Sequence, residues 1–167
     1  MGEINTIFIR YKGIFNLQEL IKAITDWFEK KNYEHYIYQT KTKSKDFGNE
    51  EEYGIKGWVN ETEYHRLTVD VYLHLWDANP VEVTENGETK TMTKAAMLIK
   101  IKGDLDTDFA GRYEHSTFAK KLKKFMEEKV LNNRYGVIWG DDHHFRIEGL
   151  GNYIKQFLNM RTQGKYW

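Results

Sequence analysis

The sequence predicts an α+β domain built on a long antiparallel sheet of about six strands, with helices packed on one face. The predicted order is strand, helix, a meander of about five strands, helix, helix. Three observations carry this reading. Apolar and polar residues alternate from Asn60 through Trp76, which is the period of a strand, and shorter alternating runs lie on both sides of it. Two stretches instead repeat their apolar residues every three or four positions, the period of a helix. The pair Asn86-Gly87, favoured in type I′ hairpin turns, stands between two alternating runs.

Ile4 to Lys12 alternate as a first strand. Asn16 followed by Glu19 has the spacing of a capping box, so a helix starts there. Its Leu17, Leu20, Ile21, Ile24, Trp27 and Phe28 fall on one stripe that must pack on the sheet, and Lys30, Lys31 and Asn32 close it. Tyr33 to Lys43 alternates again, with Tyr36 and Tyr38 on one face, and the polar stretch from Ser44 to Glu52 reads as a loop. Gly54 to Thr62 makes a third strand and Tyr64 to Asp77 a fourth. Asn79 and Pro80 predict a turn and Val81 to Thr84 a short strand. After the Asn86-Gly87 hairpin the chain returns through Thr89 to Lys102. Here Ala95, Met97, Ile99 and Ile101 share one face and Lys94, Lys100 and Lys102 the other.

A second helix is predicted from Ser116 to about Leu131. Phe118, Leu122, Phe125, Met126 and Val130 should turn inward, with Lys120, Lys121, Lys123 and Lys124 outward. In the last part Phe145 and Ile147 fit a hairpin, whereas Ile147, Leu150, Ile154, Phe157 and Leu158 keep a helical period. A helix is favoured, capped by Asp141 or Asp142, although Gly149 and Gly151 would each cost about 1 kcal/mol inside it. No repeat and no break in composition divides the chain, so residues 1–167 read as a single globular domain.

The bulk properties exclude several classes. A chain of 167 residues with 40% hydrophobic content is long enough to bury a core without a staple. There is no cysteine, which rules out disulfides, a thiol nucleophile and thiolate zinc, and fits a cytoplasmic location. The opening residues alternate and carry an early acid, unlike a signal peptide or a membrane span. Basic and acidic residues balance at 25 each, which argues against a protein that lives by phosphate contact with duplex nucleic acid. One proline and a 15% aromatic content argue against disordered linkers.

Few motifs carry chemistry. Asp104, Asp106 and Asp108 alternate like the first ligands of a calcium loop, but the sixth position is Phe109 and the twelfth His115, where glycine and glutamate are required. A solvated strand end is the better reading. His143, His144 and Glu148, behind Asp141 and Asp142, are the candidate metal ligands, since His144 and Glu148 stand four residues apart on a helix. The competing reading is an acidic helix cap followed by surface histidines. There is no glycine-rich phosphate loop, neither Ser44 nor Ser116 sits in a nucleophile elbow, and no cofactor is expected.

The non-core face of the meander is the more informative feature. Tyr36, Tyr38, Trp58, Tyr72, His74 and Trp76 should share it with Phe8, Arg10, Lys56, Lys100 and Lys102. An ordinary half-buried strand carries small polar or charged residues there. A sheet curved around a helix would make these residues a cavity for a small apolar ligand. An open sheet would make them a patch for a protein partner or a second subunit. Interleaved basic and aromatic groups, helped by Lys120, Lys121, Lys123 and Lys124, would suit single-stranded RNA. The plainest alternative is that helices cover both faces. The reading favoured by the residues is a non-enzymatic binding or interaction module using the six aromatic and imidazole groups. The alternatives are a metal-dependent enzyme using His143, His144 and Glu148, or the RNA reading.

The opening order, strand-helix-strand-strand, is similar to the first half of an RNA-recognition fold, but the chain continues in strands where that fold needs its second helix. The longer order resembles helix-grip folds of the START and Bet v 1 type, with one early helix where those have two. In sequence, Leu73-His74-Leu75-Trp76-Asp77, Val81-Glu82-Val83 before Asn86-Gly87, Leu98-Ile99-Lys100-Ile101-Lys102-Gly103 and Phe157-Leu158-Asn159-Met160 resemble a group of small proteins from reduced-genome, DPANN-type archaea. That resemblance implies a cytoplasmic archaeal protein and brings no catalytic signature with it.

Overall fold

The computed structural model describes residues 2–111, 116–126, 128 and 135–160. Its elements are β1 (Gly2–Phe15), α1 (Leu17–Lys30), β2 (Glu34–Lys45), β3 (Gly48–Asn60), β4 (His65–Glu85), β5 (Glu88–Thr107), α2 (Thr117–Met126) and α3 (Tyr135–Phe157). The fold is α+β, and the five strands form one antiparallel sheet in the order β1-β5-β4-β3-β2.

Strand pairing extends into both predicted breaks, and because the second joins two predicted strands into one, five strands among the described residues replace the expected six or so. The stretch from Ser44 to Glu52 is not a loop but a hairpin, in which Lys43 faces Glu50 and Ser44 faces Asn49. Cross-strand pairing of unlike charges holds it together without an apolar face. Asn79 and Pro80 do not turn the chain either. They belong to β4, which pairs with β5 on both sides of an irregularity between Trp76 and Asn79, where Asp77 takes φ 52°. Pro80 is tolerated because β3 ends its pairing with β4 at Ala78, so the prolyl nitrogen meets no third strand.

One face of the sheet is the core. Val69, Val71, Leu73 and Leu75 of β4 are fully buried, as are Ile99 and Ile101 of β5 and Ile55 of β3. Each such side chain is worth about 1.5–3 kcal/mol of burial. α1 covers this face with Leu20, Ile24 and Phe28, and its start is fixed by Asn16, whose side-chain oxygen accepts from Glu19 N at 3.1 Å. Asn32, at φ 59°, ends it in the left-handed conformation that asparagine tolerates. α3 lays Ile147, Leu150 and Ile154 on the same core, beside β1 and β5. It runs through Asp141 and Asp142, so these are interior to the helix rather than its cap.

α2 departs from expectation in what it packs against. It begins at Thr117 behind Ser116, whose Oγ accepts from Ala119 N at 3.0 Å. Phe118, Leu122 and Phe125 are exposed rather than inward, and Lys123 is the residue held, by an ion pair to Asp108 at 3.3 Å. Met126 lies at its last turn with no side-chain placement described, and Val130 and Leu131 fall outside the described residues. The aspartates near the end of β5 are not a solvated strand end either. Asp104 and Asp108 are buried, with Asp104 paired to Lys102, while Asp106 accepts from Thr68 Oγ1.

Candidate functional site

Because side chains alternate along a strand, the register decides which residues share the face away from α1 and α3. One cross-strand row runs Phe8, Lys100, Tyr72, Gly54, and the next runs Arg10, Leu98, His74, Glu52. A third runs Lys102, Asp70, Lys56, Tyr36, and Trp58 lies opposite Thr68. Tyr36, Tyr38, Trp58, Tyr72, His74 and Trp76 therefore all stand on this outer face. The anticipated company of Phe8, Arg10, Lys56, Lys100 and Lys102 is there too.

The six residues form two clusters. In the first, Tyr36 meets Trp58 edge-on at 5.7 Å between ring centroids and Tyr38 at 6.3 Å. Tyr38 sits at a bulge between Ile37 and Gln39 and lies across Gly54, where a Cβ would stand 2.3 Å from its Cζ. Only a residue without a side chain lets the ring cross there. Its hydroxyl then donates to Asp70 Oδ1 at 2.9 Å. Partial burial and this carboxylate hold the phenol well above the usual tyrosine range. Tyr36 and Tyr38 remain 48% and 43% exposed and Phe8 59%, which sets them apart from the fully buried residues of the opposite face.

In the second cluster His74 stacks on Trp76 at 4.0 Å, with planes 27° apart, and meets Tyr72 edge-on at 6.2 Å. Its Nε2 lies 2.8 Å from Glu50 Oε1, while Lys45 Nζ holds Glu50 Oε2 at 2.5 Å. Those two contacts, the lysine's first, pull the Glu50 carboxyl down to about 2. Glu52 accepts from Gln39 Nε2 at 2.6 Å and is also bonded by Tyr72, whose phenol is raised first by burial and then by that carboxylate. Glu50 and Glu52 lie in the stretch read from sequence as a loop. Their spacing of two, answering Lys41, Lys43 and Lys45 across the hairpin, is the signal that was there to find.

Cations on the outer face differ in their partners. Lys41, Lys45 and Lys102 are paired with carboxylates. Among the described residues Arg10, Lys56 and Lys100 form no ion pair, and Lys100 Nζ lies 5.9 Å from the centre of the Phe8 ring. A depression of about 240 Å³ opens between Tyr36, Lys56, Trp58, Arg66, Thr68 and Asp106.

The histidines of α3 go separate ways. His144 Nε2 is 3.4 Å from Glu148 Oε1, one helical turn on, and both are well exposed. His143 is fully buried against the sheet, so it does not join them. Its Nε2 lies 3.2 Å from the Thr68 carbonyl, an acceptor, so that nitrogen carries the proton, and Nδ1 is 3.5 Å from the Tyr33 hydroxyl. Burial pushes its pKa below the ordinary histidine value. Adjacent helical residues point about 100° apart, which is why one histidine of the pair is core and the other surface.

No protein-family model matches the chain, and no curated protein matches it. Among the described residues no helix is long and apolar enough to cross a membrane.

Proposed function

We propose that the protein is a non-enzymatic binding module and that the outer sheet face, centred on Tyr36, Tyr38, Trp58, Tyr72, His74 and Trp76, receives a polypeptide partner. The observation that supports this is the register, which gathers all six groups on the face opposite α1 and α3. The face spans five strands and the rows from Thr68 to Trp76, roughly 20 Å by 26 Å at ordinary strand spacings. That is about 500 Å² in projection before side-chain relief, comparable with the ~800 Å² each partner buries in a standard interface. Tyrosine and tryptophan are also the residues that most often dominate such interfaces.

A small apolar ligand is less well supported. The 240 Å³ depression lies below the ~300–1,000 Å³ of ordinary ligand pockets, and Lys56, Arg66 and Asp106 line it. Single-stranded RNA would find Arg10, Lys56 and Lys100 beside exposed rings. It would also meet Asp70, Glu50 and Glu52, whose charge opposes phosphate.

Native mass spectrometry of gently purified protein tests the proposal. The expected spectrum shows added polypeptide mass, a partner or a second copy, that is lost in the variants Tyr36→Ala, at a half-exposed residue, and Trp58→Ala, at a partly buried one. Added mass of a nucleic acid or small molecule, or polypeptide mass retained by both variants, would overturn it.

A further inference from the structure

We propose that Glu50, Glu52 and His74 form a binding site for a divalent transition-metal ion on the outer face of the sheet. One oxygen or nitrogen from each of the three lies within 4.8 Å of the others. A tetrahedral zinc ion separates its ligand atoms by roughly 3.3 Å, so closing the site takes side-chain adjustments of about an ångström and no movement of the strands. Backbone pairing supplies the scaffold, with Glu52 directly opposite His74 and Glu50 two residues before Glu52 on the same strand. An imidazole with two carboxylates suits a borderline ion such as zinc, manganese or iron(II), whereas calcium and magnesium favour oxygen alone.

At Glu50 the surrounding groups leave a ligand atom facing inward. Lys45 engages Glu50 through Oε2, while Oε1 of the same carboxylate faces His74 Nε2. Gln39 and Lys41 both engage Glu52 through Oε2, and Tyr72 also bonds this carboxylate, so an ion would share Glu52 with the Tyr72 hydroxyl. The competing explanation is a network of ion pairs with no metal. However, the Lys41 and Lys45 side chains are 59% and 56% exposed against 16% for each glutamate. Exposed lysines of this kind contribute little and are readily displaced, whereas a doubly charged ion replaces them with three directed bonds. His74 is also held in place by its stack on Trp76, so the imidazole is oriented in advance. The ion would have three protein ligands and complete its shell with water from the solvent side, next to the ring of Trp76.

The site shares His74 with the proposed partner-binding face but does not rest on that proposal, so its failure would leave the module proposal standing. The test is titration of chelator-treated protein with Zn²⁺ alone, followed by calorimetry, and with Co²⁺ alone, followed by its visible absorption. The wild type is expected to take up one ion per chain. His74→Ala and Glu52→Gln, at partly buried side chains of the outer face, should weaken binding by at least about tenfold, with far-UV circular dichroism unchanged. His144→Ala, which removes the exposed histidine of α3, should bind like the wild type. No saturable uptake by the wild type, or undiminished uptake by His74→Ala, would overturn the proposal.

Discussion

Glycine-to-alanine substitution on opposite faces of β3 separates a packed core from a free surface. Gly57 faces the helices, and a Cβ there would stand 2.5 Å from Phe28 Cε1 and 2.6 Å from Cδ1. Phe28 has no exposure and is boxed by Trp27, Tyr33 and His35 at ring distances of 5.6–5.9 Å, so its ring has nowhere to go. Overpacking of a locked ring costs about 3 kcal/mol at the upper end of the usual range. The backbone gain of alanine over glycine returns about 0.5–1 kcal/mol, which leaves Gly57→Ala about 2 kcal/mol less stable. Gly54→Ala meets a shorter contact, 2.3 Å to Tyr38 Cζ, yet should cost far less. The Tyr38 ring is 43% exposed and can swing outward, giving up one hydrogen bond to Asp70 worth about 1 kcal/mol against a similar backbone gain.

For a chain of this size the difference corresponds to a Tm drop of about 4–8 °C for Gly57→Ala and about 2 °C or less for Gly54→Ala. Urea unfolding followed by circular dichroism, with shifted midpoints at constant slope, gives both values. Equal losses would refute the reasoning, because Tyr38 would then be locked in a second packed layer and the outer face would not be free.

Acid should destabilise the protein through His143. Its native pKa is depressed by burial, so below about pH 6.5 the unfolded chain takes up a proton that the native state refuses. Stability is then full above that pH and falls below it, at up to about 1.4 kcal/mol per pH unit, until the native pKa is reached. His65, also depressed by burial, adds in the same sense. His143→Gln should flatten the pH dependence measured by urea unfolding between pH 7 and 5, and an unchanged slope would contradict the burial argument. Asn16→Ala removes the acceptor for Glu19 N and should cost about 1 kcal/mol, read as a lower urea midpoint; an unchanged midpoint would show that the cap contributes nothing. Phe118→Ser should leave stability within about 0.5 kcal/mol, since Phe118 is 78% exposed; a loss above about 2 kcal/mol would mean that its apolar stripe is packed after all.

Local signals in the sequence survived into the structure and long-range ones did not. α1 was legible because its cap, Asn16, and its stripe from Leu17 to Phe28 lie within one segment. The Asn86-Gly87 turn was legible for the same reason, and both residues take the positive φ that the pair invites. The hairpin at Asp46-Phe47 was missed because Lys43 and Glu50 signal strand only once they are placed opposite each other. Asp77, Asn79 and Pro80 have turn chemistry but serve a bulge, a distinction made by the continued pairing of β4 with β5. The period of Phe118, Leu122 and Phe125 reported a helix correctly, yet periodicity carries no information about what a stripe packs against. At the candidate face, alternation was enough to group Tyr72, His74 and Trp76. The place of Tyr38, by contrast, depends on a bulge and on the bare backbone of Gly54, which only the register brings together.

Side-chain footprinting puts the outer face to its sharpest test. Oxidative labelling of Tyr36, Tyr38 and Trp58 would be compared between the gently purified assembly and the stripped monomer, with exposed Phe118 as the internal reference. A face that receives a polypeptide predicts strong labelling of all three in the monomer, protection in the assembly, and unchanged labelling of Phe118. Equal labelling of Tyr36, Tyr38 and Trp58 in both states would contradict it.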